Sequence, residues 1–260
     1  MRILLTNDDG VQAPGIVAAR AALSRLGEVW VVAPERPRSA AGHSITLHKP
    51  LRIHRVALPD GAPAYATNGT PTDCVSLGFD ILLEGRCDLV VSGINRGSNL
   101  GWDLTYSGTV AAAIEGVVLG MQAFAISVTA RRGEESVDFG PAAEFAASLA
   151  ERIMADPLPP ATLLNVNVPG IPADRLQGVS ITHQGRTEYV DRIDSRTDPV
   201  GRPYYWLAGN IREDTPDPGS DVHAVVQDRI SITPIQLDVT AYALMDRLRE
   251  WPLVVPHTAK

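Results

Sequence analysis

Short apolar runs alternate with amphipathic segments through the first two-thirds of the chain. The runs end at turn residues, which is typical of buried strands, and the segments between them have helical spacing. The predicted strands are Arg2–Thr6, Val29–Ala33, Tyr65–Thr67, Asp88–Ser92, Ala123–Val128 and Thr162–Val168, with an edge strand or hairpin within Ser44–Val56. The predicted helices are Ile16–Leu26, a helix capped by Thr70 that ends near Leu83, Thr109–Leu119 and Pro141–Ala155. This alternation predicts an α/β fold, with a parallel sheet covered by helices on both faces.

The last third of the chain follows a different pattern. Val179–Leu207 is polar and extended, with aromatic residues at its end and a turn signal at Asp198–Gly201. We therefore predict a long hairpin that projects from the body. Because an isolated hairpin is only marginally stable in water, we expect it to pack on another subunit. After a loop, the pattern predicts a strand at Arg229–Thr233 and a terminal helix at Val239–Trp251.

Composition narrows the class of protein. The chain has 260 residues, with 23 Lys and Arg against 30 Asp and Glu, and no basic run. A partner such as a nucleic-acid duplex is therefore not expected. The apolar runs are too short to cross a membrane or to act as a signal peptide. Cys74 and Cys87 lie in apolar segments and are interpreted as core thiols in a reducing compartment, so we expect a cytoplasmic protein.

Polar side chains follow three of the predicted strands. Asp8 and Asp9 end the first strand, Ser39 lies in the loop after the second, and Asn95 follows the Asp88–Ser92 strand. Loops after neighbouring parallel strands converge at one edge of a sheet. Two carboxylates, a hydroxyl and an amide oxygen suit Mg²⁺ or Mn²⁺. The alternative is that the aspartates form a turn or cap a helix, and that Ser39 and Asn95 are ordinary loop residues.

A second candidate site lies where the Thr109–Leu119 helix begins. Ser107, Gly108 and Thr109 offer two hydroxyls and a glycine at a helix N-terminus, which favours binding of a phosphate group. The alternative is that one hydroxyl simply caps the helix. Asn68, before another predicted helix, is a further candidate contact for a phosphate or nucleoside, with a turn as its alternative.

Several other nucleotide and hydrolase motifs are absent from the sequence. Gly93, Gly97 and Gly101 do not have the spacing of the dinucleotide fingerprint, which argues against a dinucleotide oxidoreductase. There is no P-loop and no G-x-S-x-G elbow, and the histidines lack metal-ligand spacing. Phosphatases that form an aspartyl-phosphate place a second Asp two residues after the first, whereas here that position is Gly10, so we favour direct attack by water.

The first half of the chain resembles the SurE family, whose members are metal-dependent 5′/3′-nucleotidases. The segments that carry the resemblance are Ile3–Gly10, Val32–Arg36 with Ser39 and Ala40, Gly69–Val75, Ser92–Gly101 and Tyr106–Ala113. The resemblance implies metal ligands at Asp8, Asp9, Ser39 and Asn95, and a Rossmann-like core. It also implies a protruding β-hairpin, and homodimers or homotetramers built partly through the C-terminal helix.

These observations predict one domain of residues 1–260. Residues 1–178 form the core with the active site, and residues 179–260 form the hairpin and a C-terminal extension for oligomerisation.

The predicted reaction is hydrolysis of nucleoside 5′- and 3′-monophosphates by water, with one divalent cation per subunit. Asp8 and Asp9 are the predicted catalytic residues, and either could take the proton of the water. Asn68, Asn95, Arg96, Ser107, Gly108 and Thr109 are the predicted phosphate or substrate contacts. The resemblance also implies activity on short polyphosphate. The alternative is a non-catalytic sensor that binds a nucleotide and a metal without turnover.

Overall fold

The computed structural model describes residues 1–129, 137–187, 189–190, 193–207, 210–211 and 217–253. The strands are β1 (Arg2–Thr6), β2 (Glu28–Pro34), β3 (Ile53–Ala57), β4 (Pro63–Thr67), β5 (Leu89–Arg96), β6 (Gln122–Thr129), β7 (Thr162–Pro169), β8 (Val179–Ile181), β9 (Tyr189–Val190), β10 (Ile193–Thr197), β11 (Pro203–Leu207), β12 (Asn210–Ile211) and β13 (Ile230–Gln236). The α-helices are α1 (Pro14–Leu23), α2 (Pro71–Leu77), α3 (Gly108–Val118), α4 (Gly140–Ala155), α5 (Asp221–Val226) and α6 (Tyr242–Arg249). The six strands and four helices predicted for the first two-thirds are all present, as is the edge strand β3.

Nine strands form one central sheet in the order β3-β4-β2-β1-β5-β6-β7-β13-β8. The six strands from β4 to β7 are parallel to their neighbours, so their carboxyl ends share one edge. The sheet is mostly parallel, as predicted, and departs from the parallel arrangement at two places. β3 runs antiparallel to β4, and β13 runs antiparallel to β7. A short turn is enough to reverse the chain between β3 and β4, whereas each parallel pair needs a longer crossover.

The sheet is buried on both faces. Successive residues of β1 point to opposite sides, so Ile3 and Leu5 join one apolar cluster while Leu4 joins the other. Helices α1 and α4 pack together on the first face, and α2 and α3 pack together on the second. The two-sided burial explains why the central strands are apolar runs with little alternation.

The hairpin begins later than predicted and extends past Leu207. Val179–Ile181, which was assigned to it, forms β8 and pairs parallel to β13 at the edge of the central sheet. In the described chain the hairpin consists of two antiparallel pairs, β9 with β12 and β10 with β11, and the predicted turn is closed by a bond from Gly201 N to the carbonyl of Asp198. Its β11 strand exposes Tyr204, Tyr205 and Trp206. In the described part of the chain, no helix combines the length and apolar character needed to cross a bilayer.

Candidate metal and phosphate site

A closed turn presents two carboxylates at the carboxyl end of β1. The buried side chain of Asn7 closes this turn, because its Nδ2 donates to Gly10 O at 2.9 Å and its Oδ1 accepts from Gly10 N at 3.1 Å. Gly10 has φ +101°, a conformation that favours glycine. Helix α1 begins after Ala13 without a side-chain cap. Asp8 and Asp9 therefore neither close the turn nor cap the helix, and their carboxylates are available for another role.

Asp8 is almost fully buried, with 6% of its surface exposed. Its Oδ1 accepts a hydrogen bond of 2.5 Å from the hydroxyl of Thr109, at the start of α3. The pKa of Asp8 is raised to about 6: burial raises it most, the Thr109 hydroxyl lowers it, and the nearby charge of Asp9 raises it. A carboxyl with such a pKa is easily neutralised unless a positive charge lies beside it.

Asp9 lies against the end of β5. Its Oδ2 accepts a hydrogen bond of 2.9 Å from the backbone N–H of Arg96. Burial raises the pKa of Asp9, while this N–H and the charge of Arg96 lower it. The cationic side chain of Arg96 therefore acts on Asp9 electrostatically and lies on the same side of the site.

Asn95 lies beside Asp9 because β5 is irregular at its end. The pairing of β5 with β6 shifts register between Ser92 and Asn95, at Gly93, whose φ is +137°. A Cβ at Gly93 would come within 2.2 Å of the carbonyl oxygen of Ile126, so only glycine fits. The Nδ2 of Asn95 donates to Gly97 O at 2.9 Å, which leaves its Oδ1 as a possible ligand.

Ser39 lies on an exposed part of the loop after β2. Its neighbour Arg38 holds this loop against the site, since the Arg38 N–H donates to Asp8 O at 2.7 Å. The loop therefore packs on the backbone of Asp8, as the sequence predicts. The role of Ser39 as a ligand stays a prediction.

Asn68 has a visible structural role. Its Oδ1 accepts from the backbone N–H of Arg52 at 2.9 Å, and its Nδ2 donates to Pro50 O at 3.2 Å. These bonds hold the approach to β3 against the end of β4. The side-chain amide thus ties two distant segments together instead of forming the local turn that was the alternative interpretation, and its contact with substrate stays a prediction.

The start of α3 packs directly on Asp8. Ser107 caps the helix, because its Oγ accepts from Val110 N at 3.1 Å. A Cβ at Gly108 would lie 3.0 Å from Cβ and 3.1 Å from Oδ2 of Asp8. The glycine between the two hydroxyls is therefore explained by its close approach to the carboxylate. Thr109, predicted to bind phosphate, uses its hydroxyl to orient Asp8.

The side chains around Asp8 fit a hard cation. They offer carboxylate and amide oxygens from three residues, Asp8, Asp9 and Asn95, and because burial raises the pKa of both carboxyls, a cation beside them would stabilise their charged forms. In the described ranges no group of three or more His, Cys, Asp or Glu could hold a metal. A thiolate or imidazole centre of the zinc type is thus not found there, and an oxygen-rich Mg²⁺ or Mn²⁺ site agrees with the donor set.

The raised pKa of Asp8 predicts a pH-dependent metal affinity. A proton and a metal ion compete for the same carboxylate, so protonation below the pKa of about 6 opposes metal binding. We expect the affinity for Mn²⁺ to be nearly constant above pH 7 and to fall by about tenfold per pH unit below pH 6. Titrations followed by the electron paramagnetic resonance signal of free Mn²⁺, from pH 5 to pH 8, measure this. An affinity independent of pH over that range would contradict the assignment.

Two contributors to the site were missed in the sequence. Asn7 closes the turn that presents the aspartates, and Asp221, at the start of the unpredicted helix α5, reaches the loop before α3 through Gly101. The pair Ser220-Asp221 carries a helix-start signal, because Ser220 caps α5 by accepting from His223 N. That signal could have revealed the helix, although not its partner.

A family model, curated relatives and a solved structure all indicate the same family. A sequence model described as "Survival protein SurE" matches residues 3–191. A protein named 5′-nucleotidase SurE from Symbiobacterium thermophilum is 50% identical over 254 residues, covering 96% of this chain and 98% of the relative. Its namesake from Geobacter sulfurreducens is 51% identical, covering 97% and 94%. The crystal structure of the SurE protein from Aquifex aeolicus superposes with a TM-score of 0.84 at 40% identity, covering 96% and 98%.

Proposed function

This chain belongs to the SurE family, and we propose that it hydrolyses the phosphate ester of nucleoside 5′-monophosphates with the help of a divalent metal ion. The observation that carries the proposal is the pair of partly buried carboxylates at the end of β1, which faces the N-terminus of α3. The two carboxylates attract a cation, and the N-terminus of α3 attracts an anion. A phosphate group bound through a metal ion would place the cation beside the carboxylates and the negative charge beside the helix N-terminus.

We assign Asp8, Asp9, Ser39 and Asn95 as the ligands of one Mg²⁺ or Mn²⁺ ion per subunit. When bound, a divalent cation supplies positive charge beside the phosphate and makes a water easier to deprotonate. Asp8 is fixed for this role by Thr109 and by the packing of Gly108. Asn95 is fixed by its bond to Gly97 O.

Asp9 is the base that we assign to the attacking water. Its Oδ2 accepts from the backbone N–H of Arg96, so we assign the proton of the water to Oδ1. Burial raises its pKa, which makes it a stronger base than an exposed aspartate. The water attacks phosphorus as its proton passes to Asp9, the bond between phosphorus and the nucleoside oxygen breaks, and that oxygen takes up a proton from solvent as it leaves.

The positive end of α3 and the side chain of Arg96 stabilise the phosphoryl oxygens as charge shifts in the transition state. The first N–H groups of a helix have no partners within the helix, so we assign the N–H of Gly108 and the hydroxyl of Ser107 to the phosphate, while the N–H of Ser107 donates to Leu104 O at 3.3 Å and Thr109 acts on Asp8. The backbone of Thr109 also lowers the pKa of Asp8, which places one of these donors beside the metal ligands.

Finer properties are also proposed. We expect activity on 3′-monophosphates and on short polyphosphate, a cytoplasmic location, and a homodimer or homotetramer. The exposed aromatic residues of β11 support an association between subunits, since a large exposed apolar patch marks interaction surfaces.

The test is phosphate release from a panel of 5′- and 3′-nucleoside monophosphates, with EDTA, Mg²⁺ or Mn²⁺. We expect release that requires a divalent cation and occurs with 5′-monophosphates. Nucleotide binding without release under every condition would instead favour the sensor. A nicotinamide absorbance change would be needed to revive a dinucleotide oxidoreductase.

A further inference from the structure

The loop that leads into α3 is held by side chains from the second half of the chain. This loop contains a short 3₁₀ helix, Gly101–Thr105, and ends at the cap residue Ser107. Before it, Asn99 donates through its backbone N–H to Asn167 Oδ1 at 2.8 Å and through Nδ2 to Ser127 Oγ at 2.7 Å. Its carbonyl accepts from Nδ2 of Asn165 at 2.8 Å. The end of β6 and the middle of β7 thus fix where the loop begins.

Asp221 fixes the next point of the loop. Its side chain is completely buried. Oδ2 accepts from Gly101 N at 2.8 Å, and Oδ1 accepts from Gly185 N at 2.9 Å and from Val222 N at 2.8 Å. One carboxylate therefore joins the start of the 3₁₀ helix, the strand-like segment around Gly185 and its own helix α5.

The backbone around Asp221 is packed too closely for side chains. Gly101 has φ +53°, and a Cβ there would lie 3.0 Å from Thr187 N and 3.1 Å from Gly185 O. A Cβ at Gly185 would lie 2.8 Å from Oδ1 of Asp221. Gln184 adds a bond from Nε2 to Gly101 O at 2.9 Å, so both polar groups of Gly101 are held from the same side.

The anchored loop ends at the reaction site. Ser107 follows Gly101 by six positions, and Thr109 donates to the Asp8 carboxylate. A shift of the 3₁₀ helix would therefore move the N-terminus of α3 relative to Asp8. Misplacement of a group that binds substrate by about 1 Å can cost about two orders of magnitude in rate.

We propose that Asp221 is a positioning residue for phosphate binding: by holding Gly101 it fixes the start of α3 beside Asp8. The proposal rests on the proposed function, because it assigns α3 to the substrate phosphate. Asp221 follows the hairpin in the sequence, so the C-terminal part of the chain would contribute to binding of the phosphate group.

Replacement by asparagine isolates this role. An amide has one acceptor oxygen, and Oδ1 of Asp221 serves two donors while Oδ2 serves one. The amide oxygen is therefore expected to stay at the Oδ1 position, which places the NH₂ group against the N–H of Gly101. Asp221→Asn thus breaks the link to the loop and keeps the size of the side chain.

We expect Asp221→Asn to raise KM for a 5′-monophosphate, and the inhibition constant of inorganic phosphate, by about tenfold each. The dissociation constant for Mn²⁺ should change by less than about threefold, since the metal ligands lie on other loops. Hydrogen exchange should become faster in residues 97–107 and remain unchanged in β1 and β5. Asp156→Asn, the same change at an exposed carboxylate after α4, should match the wild type in every measurement.

These measurements separate positioning from general stability. A partly unfolded sample has fewer active molecules, which lowers kcat but leaves KM and the phosphate inhibition constant unchanged. Wild-type values for both constants and for exchange in residues 97–107 would overturn the proposal. If Asp221→Asn does not fold, Gln184→Ala removes the other link to Gly101 and should raise both constants by about threefold; no change there would overturn it as well. Absence of phosphate release in the wild type would instead refute the proposed function, while the exchange measurement would still report on the anchor.

Discussion

Asp8→Asn is expected to lower kcat by about 10³-fold or more, a loss of about 4 kcal/mol of transition-state stabilisation. The amide has no negative charge and a single acceptor oxygen, so it is a poor ligand for a hard cation. Phosphate release from AMP at saturating Mn²⁺ measures the effect. The metal-free variant should nevertheless be at least as stable as the wild type at pH 7.

The stability expectation follows from the pKa of Asp8. Folding raises it from 3.8 to about 6, so the native state binds protons more tightly than the unfolded state between about pH 4 and pH 6. Stability of the metal-free wild type therefore falls as pH rises through that window, at a cost of about 3 kcal/mol. Asparagine does not ionise and avoids this cost.

Thermal unfolding in EDTA at pH 7 checks this, with Asp60→Asn as a matched control. Asp60 is a carboxylate paired with Arg20, and its replacement should leave kcat near the wild-type value. An Asp8→Asn protein that retains full activity, or that loses activity only by unfolding, would contradict the role assigned to this carboxylate.

Thr109→Val is expected to lower kcat/KM by about 10- to 100-fold at pH 7, the range typical of losing a side chain that orients a metal ligand. Valine has nearly the same shape as threonine but removes the 2.5 Å hydrogen bond to Asp8. That bond lowers the pKa of Asp8, so its loss raises this pKa above about 6. The acid limb of the pH–rate profile should therefore move to higher pH.

Thr109→Ser is the control for this change, since it retains the hydroxyl and should restore most of the activity and the position of the acid limb. A serine variant that loses as much activity as the valine variant would show that the hydroxyl bond to Asp8 does not by itself account for the role of Thr109. A valine variant with an unshifted profile would separate Thr109 from the ionisation of Asp8.

Much of the fold was accessible from the sequence because the central strands are buried on both faces. Runs such as Arg2–Thr6 and Ala123–Val128 are apolar over most of their length, and turn residues mark where they end. Local chemistry was also sufficient at α2, where Thr70 and Asp73 form a capping box. Asp8 and Asp9 could be placed because the end of a parallel strand defines an edge of the sheet.

Other features depend on contacts between distant segments. β8 has only three residues and belongs to the central sheet only through its pairing with β13, so its sequence alone did not separate it from the polar, extended segment that follows. Gly108 was interpreted through a ligand, whereas its nearest neighbour is Asp8, 100 positions earlier in the chain. The partner of Asp221, Gly101, is separated from it by 120 residues. The spacing of residues along the sequence does not reveal which distant residues come into contact in this way.

The most direct test of the account is an anomalous-difference map from crystals soaked in Mn²⁺, for the wild type and for Asp9→Asn. We predict a single strong peak per chain in the wild type, in contact with the carboxylates of Asp8 and Asp9 and close to Ser39 and Asn95, and its loss in the variant. A peak elsewhere in the chain, or an undiminished peak at this place in Asp9→Asn, would contradict the assignment of these residues as the metal site.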